Sequence, residues 1–131
     1  MLQKFPLYAY IPAQDVPRAR QFYEGKLGFK PKQEVNGGVV YEFAGGTACF
    51  LYPTPNAGTS KASQLFWDVD DIEREVAELK SRGVTFERYD IPDAPEVKKS
   101  ADGLIVDAGG ARAAWFKDTE GNTLVVSQLI A

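Results

Sequence analysis

Apolar residues along the chain recur with two different periods, and the switches between them predict the elements. Phe5 to Ile11 is rich in aromatic and β-branched residues and reads as a strand. Val16, Ala19, Phe22, Tyr23 and Leu27 then recur at helical spacing. Asp15 is placed to cap that helix, Pro17 is tolerated in its first turn, and Gly28 can end it. Phe29 to Glu34 predicts a short strand, followed by a turn at Asn36-Gly37-Gly38. Val39 to Phe43 and Thr47 to Tyr52 predict two more strands, joined across Ala44-Gly45-Gly46. The order to this point is β-α-β-β-β.

Pro53 to Lys61 is rich in Pro, Gly, Ser and Thr, has no periodicity, and reads as a linker. The order then restarts. Ser63 to Val69 is a strand, and Asp70 with Glu73 makes a capping-box-like start. Ile72, Val76 and Leu79 form the apolar face of a helix that ends at Gly83, and Val84 to Tyr89 reads as a strand. Asp90 to Gly110 is long, charged and irregular apart from a short strand at Leu104 to Val106, as expected of a lid or binding loop. Ala113 to Lys117 and Thr123 to Gln128 are the last strands, joined by the turn Asp118-Thr119-Glu120-Gly121-Asn122.

This restart is an internal repeat. The strand, Asp-capped helix and Gly stop running from Tyr8 through Asp15-Val16 to Gly28-Phe29 recur from Gln64 through Asp71-Ile72 to Gly83-Val84. The last strands also match, Gly46 to Phe50 lying over Gly121 to Val125. The expected class is therefore α+β: one domain spanning residues 1–131, with module one at about 1–56 and module two at about 62–131. The two βαβββ modules would form a curved mixed sheet with a concave cleft. A ferredoxin-like βαββαβ domain, the main competitor, has two strands too few.

In such a module the helix covers one face of the sheet and leaves the other open. Strand alternation assigns residues to the two faces. If Leu65 and Trp67 pack toward the second helix, Gln64 and Phe66 point away from it, and the repeat gives Tyr8 and Tyr10 the same direction. Phe50 and Tyr52 match Val125 and Ser127 in the last strands. The expected ligand-binding residues are Tyr8, Tyr10, Phe50, Tyr52, Gln64, Phe66 and Val125, an aromatic lining with few polar groups, as small-molecule pockets have. The alternative is that these rings fill a core or a dimer interface.

Composition narrows the chemistry. There is no histidine, which removes Ser-His-Asp and Cys-His nucleophile pairs and every His-ligated metal site. Cys49 is the only cysteine and lies in an apolar strand, where it is expected as a small buried hydrophobe. No internal disulfide can form, in keeping with a reducing, cytoplasmic location. The net charge is -3 and no basic stripe is present, so nucleic acid is not an expected partner. No apolar run approaches the roughly 20 residues of a membrane span, and Met1 to Pro6 lacks the apolar stretch of a signal peptide.

Three segments carry a family resemblance. Asp15-Val16-Pro17-Arg18-Ala19 with Phe22-Tyr23 and Leu27-Gly28-Phe29 resembles the first helix of the vicinal-oxygen-chelate superfamily, which includes glyoxalase, bleomycin-resistance and extradiol dioxygenase proteins. Val69-Asp70-Asp71-Ile72 with Leu79-Lys80-Ser81-Arg82-Gly83-Val84 resembles the second helix. Trp115-Phe116-Lys117-Asp118-Thr119-Glu120-Gly121-Asn122 resembles the Phe-x-Asp-Pro-x-Gly-Asn turn, with Thr119 in place of Pro. The resemblance implies the paired-module fold. It also implies four metal-ligand positions, which fall here on Tyr8, Phe50, Gln64 and Val125, and none of these is His, Asp or Glu. The expectation is a protein with no metal and no cofactor. A carboxylate-only Mg site using Asp68 or Asp118 is the alternative, and Asp118 is expected to cap its turn instead.

The reading this favours is a metal-independent binder of an aromatic or planar metabolite or drug. The alternatives are a glyoxalase-like lyase or isomerase acting on a small carbonyl compound without a His-ligated metal, and a module whose concave face binds a protein segment. In the enzyme, Tyr8 or Tyr10 would serve as acid and Asp68 as base. A homodimer is expected, since proteins of this resemblance commonly build the cleft from two chains and the module edges otherwise leave backbone groups unpaired.

Overall fold

Helix one starts where Asp15 accepts a hydrogen bond from the Arg18 amide, at 3.1 Å in the computed structural model, which describes residues 1–89 and 97–129. The first unit, Met1–Lys61 with Asp118–Asn122, contains β1 (Tyr8–Ala13), α1 (Val16–Arg20), β2 (Pro31–Val35), β3 (Gly38–Glu42) and β4 (Ala48–Pro53). Its sheet runs β1-β4-β3-β2, with β1 parallel to β4 and the other pairs antiparallel. Alternation sorts the strands: Ile11, Ala13, Val39, Tyr41, Cys49 and Leu51 are buried beneath Ala19, Phe22 and Tyr23 of the helix. Each such burial contributes about 1.5–3 kcal/mol for a large side chain.

One feature of the helix is not legible in its pattern. Beyond Arg20 it widens into a π-helical turn, Gln21–Lys26, which keeps Phe22 and Tyr23 buried while Glu24 reaches Tyr41. Gly28, at φ 75°, ends the segment, and the Phe29 amide donates back to the Tyr23 carbonyl. The stretch read as a linker is packed: Ala57 is buried, and Gln14 donates from its side chain to the carbonyls of Pro55 and Ala57.

The second unit, Ala62–Lys117 with the residues from Thr123 onward, contains β5 (Ser63–Asp68), α2 (Ile72–Ser81), β6 (Val97–Lys99), β7 (Val106–Ala108), β8 (Ala111–Lys117) and β9 (Thr123–Leu129). The sheet order is β5-β9-β8-β7-β6, again with the first and last strands parallel. α2 packs on β8 and β9 through Ile72 and Val76. Trp67 stacks on buried Phe116 with centroids 6.4 Å apart, on the face opposite Phe66.

The α+β class and its two repeated modules are as expected, with one four-stranded and one five-stranded sheet among the described residues. Three expectations need correction. Asp71, not Asp70, caps α2, accepting from the Arg74 amide at 3.2 Å; this is the position that the repeat aligns with Asp15. Val84 to Tyr89 is not a strand but a single bridge, Phe86 to Phe116, with the Glu87 amide donating to the Trp115 carbonyl. On the same strand β7 takes Arg112 and Ala113, and Phe86 meets β8 nearer its other end, at Phe116. Within the expected 90–110 loop, residues 90–96 lie outside the described residues, and much of the rest forms the β6–β7 hairpin. Among the described residues no helix is long and apolar enough to cross a membrane.

Candidate functional site

The open face of the first sheet follows from register. Tyr8 and Tyr10 on β1 pair with Ala48 and Phe50 on β4, and these pair with Glu42 and Val40 on β3. Side chains in register across a sheet share a face, so Glu42, Ala48 and Tyr8 form one row and Val40, Phe50 and Tyr10 the next. Pro12, in register with Tyr52, begins a third. The rings touch: Tyr10 meets Tyr52 edge-on at 4.9 Å, and Phe50 stacks beside Tyr52 at 6.2 Å. Tyr8 and Tyr10 are 58% and 61% exposed, while Phe50 and Tyr52 are half-buried.

A glycine makes the Phe50 position possible. A Cβ at Gly38 would collide with the Leu51 carbonyl and come within 2.8 Å of the Phe50 ring. At the far end of the first row, Lys32 pairs with Glu42 at 2.7 Å. The hydrogen bond to Glu42 holds the Lys32 ammonium above its ordinary value, and the Tyr8 hydroxyl lies within its electrostatic reach.

The second sheet repeats the arrangement. Phe66 on β5 pairs with Val125 on β9, which pairs with Trp115 on β8. Phe66 is 56% exposed and Val125 is buried. Gln64 sits at a register shift between Ser63 and Leu65, exposed and outside the regular ladder. Of the expected residues, Tyr8, Tyr10, Phe50 and Tyr52 are thus gathered on one face of the first unit. Phe66 and Val125 share a face of the second, and Gln64 is set apart by the bulge. Sequence reasoning passed over Trp115 and Tyr89, whose rings meet edge-on at 5.5 Å. Hairpin pairing across the 118–122 turn puts Trp115 in phase with Val125, a signal that was there to be used.

The turn itself is a polar hub of the first unit. Asp118 caps it as expected, accepting from the amides of Glu120 and Asn122 at 2.9 Å. It also accepts from the buried Tyr23 hydroxyl at 2.5 Å, and burial together with this carboxylate pushes the Tyr23 phenol well up. Glu120, whose side chain is 2% exposed, accepts from the Gln14 and Asp15 amides at 2.6 and 3.1 Å and from Arg18 at 3.0 Å. Burial pushes its carboxyl up, but those three donors outweigh burial and leave it below its ordinary value. This hub is structural: it caps the start of α1 from a distant turn. On the helix side of the same unit, a groove of about 950 Å³ separates α1 from the β2–β3 hairpin. The Arg20 guanidinium in that groove is already bound by Glu24 and Glu34.

A match to a family model covers residues 7–126 and has the description glyoxalase/bleomycin resistance protein/dioxygenase superfamily. The chain belongs to that superfamily. Solved structures agree on the fold. The glyoxalase/bleomycin resistance protein/dioxygenase from Alicyclobacillus acidocaldarius is 18% identical with a TM-score of 0.68, over 97% of this chain and 92% of its own. TnmS3, an antibiotic binding protein from Streptomyces sp. CB03234, is 24% identical with a TM-score of 0.65, over 95% of each chain. An integron cassette protein from the mobile metagenome of V. cholerae is 23% identical with a TM-score of 0.59, over 95% and 94%. No curated protein matches the sequence closely.

The metal positions that the superfamily resemblance transfers do not fit a cation. In each unit one of the two is a hydrocarbon, Phe50 in the first and Val125 in the second, and the others are Tyr8 and Gln64. Among the described residues no three His, Cys, Asp or Glu side chains gather into a metal-holding group.

Proposed function

We propose that this superfamily member is a metal-independent small-molecule-binding protein whose ligand is a planar aromatic metabolite or drug. The observation that carries the reading is the ring cluster on the open face of the first sheet, in which Tyr8 and Tyr10 are exposed and Phe50 and Tyr52 half-buried. Exposed aromatic area costs about 25 cal/mol per Å², and a flat ligand would recover it while stacking on the rings. Phe66 and Trp115, with buried Val125 between them in the same row, are the equivalent positions on the second sheet, with Gln64 as a polar group at its bulged end. The antibiotic-binding description of TnmS3 supports a small-molecule ligand, at the level of a shared fold. We also propose a cytoplasmic homodimer. Its support is that β1 is an edge strand preceded by exposed Phe5 and Leu7, apolar surface that a second copy would cover.

A thermal-shift screen tests the binding proposal, with planar aromatic antibiotics and bicyclic aromatic compounds in one arm and Ni, Zn, Mn and Fe salts in the other. A ligand at a hundred times its Kd adds about 2.7 kcal/mol. Stabilisation by an aromatic compound, lost in Tyr10→Ala and Phe50→Ala but kept in Glu78→Ala, is the expected result. A saturable metal response with no aromatic response would overturn it.

A further inference from the structure

We infer that the ligand of the first sheet face is a fused aromatic ring system bearing, on one edge, an uncharged group that both donates and accepts hydrogen bonds, such as a carboxamide or lactam read by the Lys32–Glu42 pair. This rests on the reading of that face as the binding surface.

The rows set the geometry. Phe50 and Tyr10 occupy the middle row, and the row ending in Glu42 and Lys32 is one two-residue step away along the strands, roughly 7 Å. From Tyr10 across β4 to β3 is two strand spacings, about 10 Å. A two-ring system lying on the middle row therefore carries a substituent on its long edge to the Lys32–Glu42 end.

That end is polar and half open. Lys32 and Glu42 are 52% and 54% exposed, and their side chains meet through Nζ and Oε1 at 2.7 Å. One ammonium proton is used in that contact, and the carboxylate retains lone pairs on both oxygens. A bare hydrocarbon edge covering the pair would strip water from those groups and return nothing. An anionic edge would be drawn to Lys32 and repelled by Glu42, and a cationic edge the reverse, because the two charges cancel. A neutral donor-and-acceptor group meets both partners: its carbonyl accepts from the ammonium and its N–H donates to the carboxylate. The Tyr8 hydroxyl, in the same row, is a further partner.

The test is titration calorimetry with 2-naphthamide, 2-naphthoate and 2-naphthylmethylamine against wild type, Lys32→Met, Glu42→Gln and Phe50→Ala. Wild type is expected to prefer the amide by about fivefold or more over both charged probes. Lys32→Met should turn the preference toward the amine, and Glu42→Gln toward the carboxylate. Phe50→Ala should weaken all three alike. If the order of affinities is the same in wild type, Lys32→Met and Glu42→Gln while Phe50→Ala still weakens binding, the inference falls and the aromatic-face reading stands. If no probe binds wild type at millimolar concentration, both fall.

Discussion

At the scale of single residues, Glu120 shows how much one buried carboxylate can hold. Three donors converge on it from the start of α1, so truncation would strand two backbone amides and release the half-exposed Arg18. Glu120→Ala is expected to lower stability by about 2–3 kcal/mol in urea unfolding. The pH dependence follows from the lowered carboxyl. Its contribution is complete above the ordinary value of 4.5 and is lost as pH falls below that through the lowered folded value. Unfolding midpoints between pH 6 and 3 should therefore show wild type and Glu120→Gln converging in acid; a constant gap would mean the carboxylate's charge is not what matters. Cys49 is the contrasting case. Burial pushes its thiol up to about 12, so a disulfide reagent at pH 8 should modify it slowly in the folded protein and completely in urea. Fast native labelling would remove it from the core. Its apolar strand neighbours announced its burial, whereas the role of Glu120 could not be seen, since its partners lie about a hundred residues away.

At the scale of elements, period and punctuation carried most of the reading. Both helices were placed by their apolar faces, with Asp15 and Gly28 as start and stop, and Cys49 is buried in its apolar strand as expected. Failures came where a tertiary contact overruled local pattern. The π-helical turn keeps two adjacent aromatics in the core, and Val84 to Tyr89 meets β8 through a single bridge rather than a ladder. Gly38 belongs to this scale as well. Gly38→Ala is expected to cost about 1–3 kcal/mol through overpacking and to weaken aromatic probes by displacing Phe50. Gly45→Ala, in an open turn at φ 74°, should cost about 1 kcal/mol of backbone strain and leave probe binding unchanged. Equal binding losses in the two variants would mean the Phe50 ring is not part of the binding surface.

At the scale of the whole molecule, light scattering should report twice the monomer mass at micromolar concentration, and a Leu7→Glu change at the exposed approach to β1 should shift the population toward monomer. A monomeric wild type would overturn the homodimer proposal. The repeat, the superfamily and the missing histidine ligands were all legible in the sequence, because they depend on residue identity and spacing along the chain. Which modules close their own sheets, which edge a strand pairs with, and that the 118–122 turn docks on the first helix were decided only by tertiary structure. Those outcomes depend on competition among distant segments for the same hydrogen-bonding groups and the same buried volume, and a one-dimensional pattern holds no record of who wins.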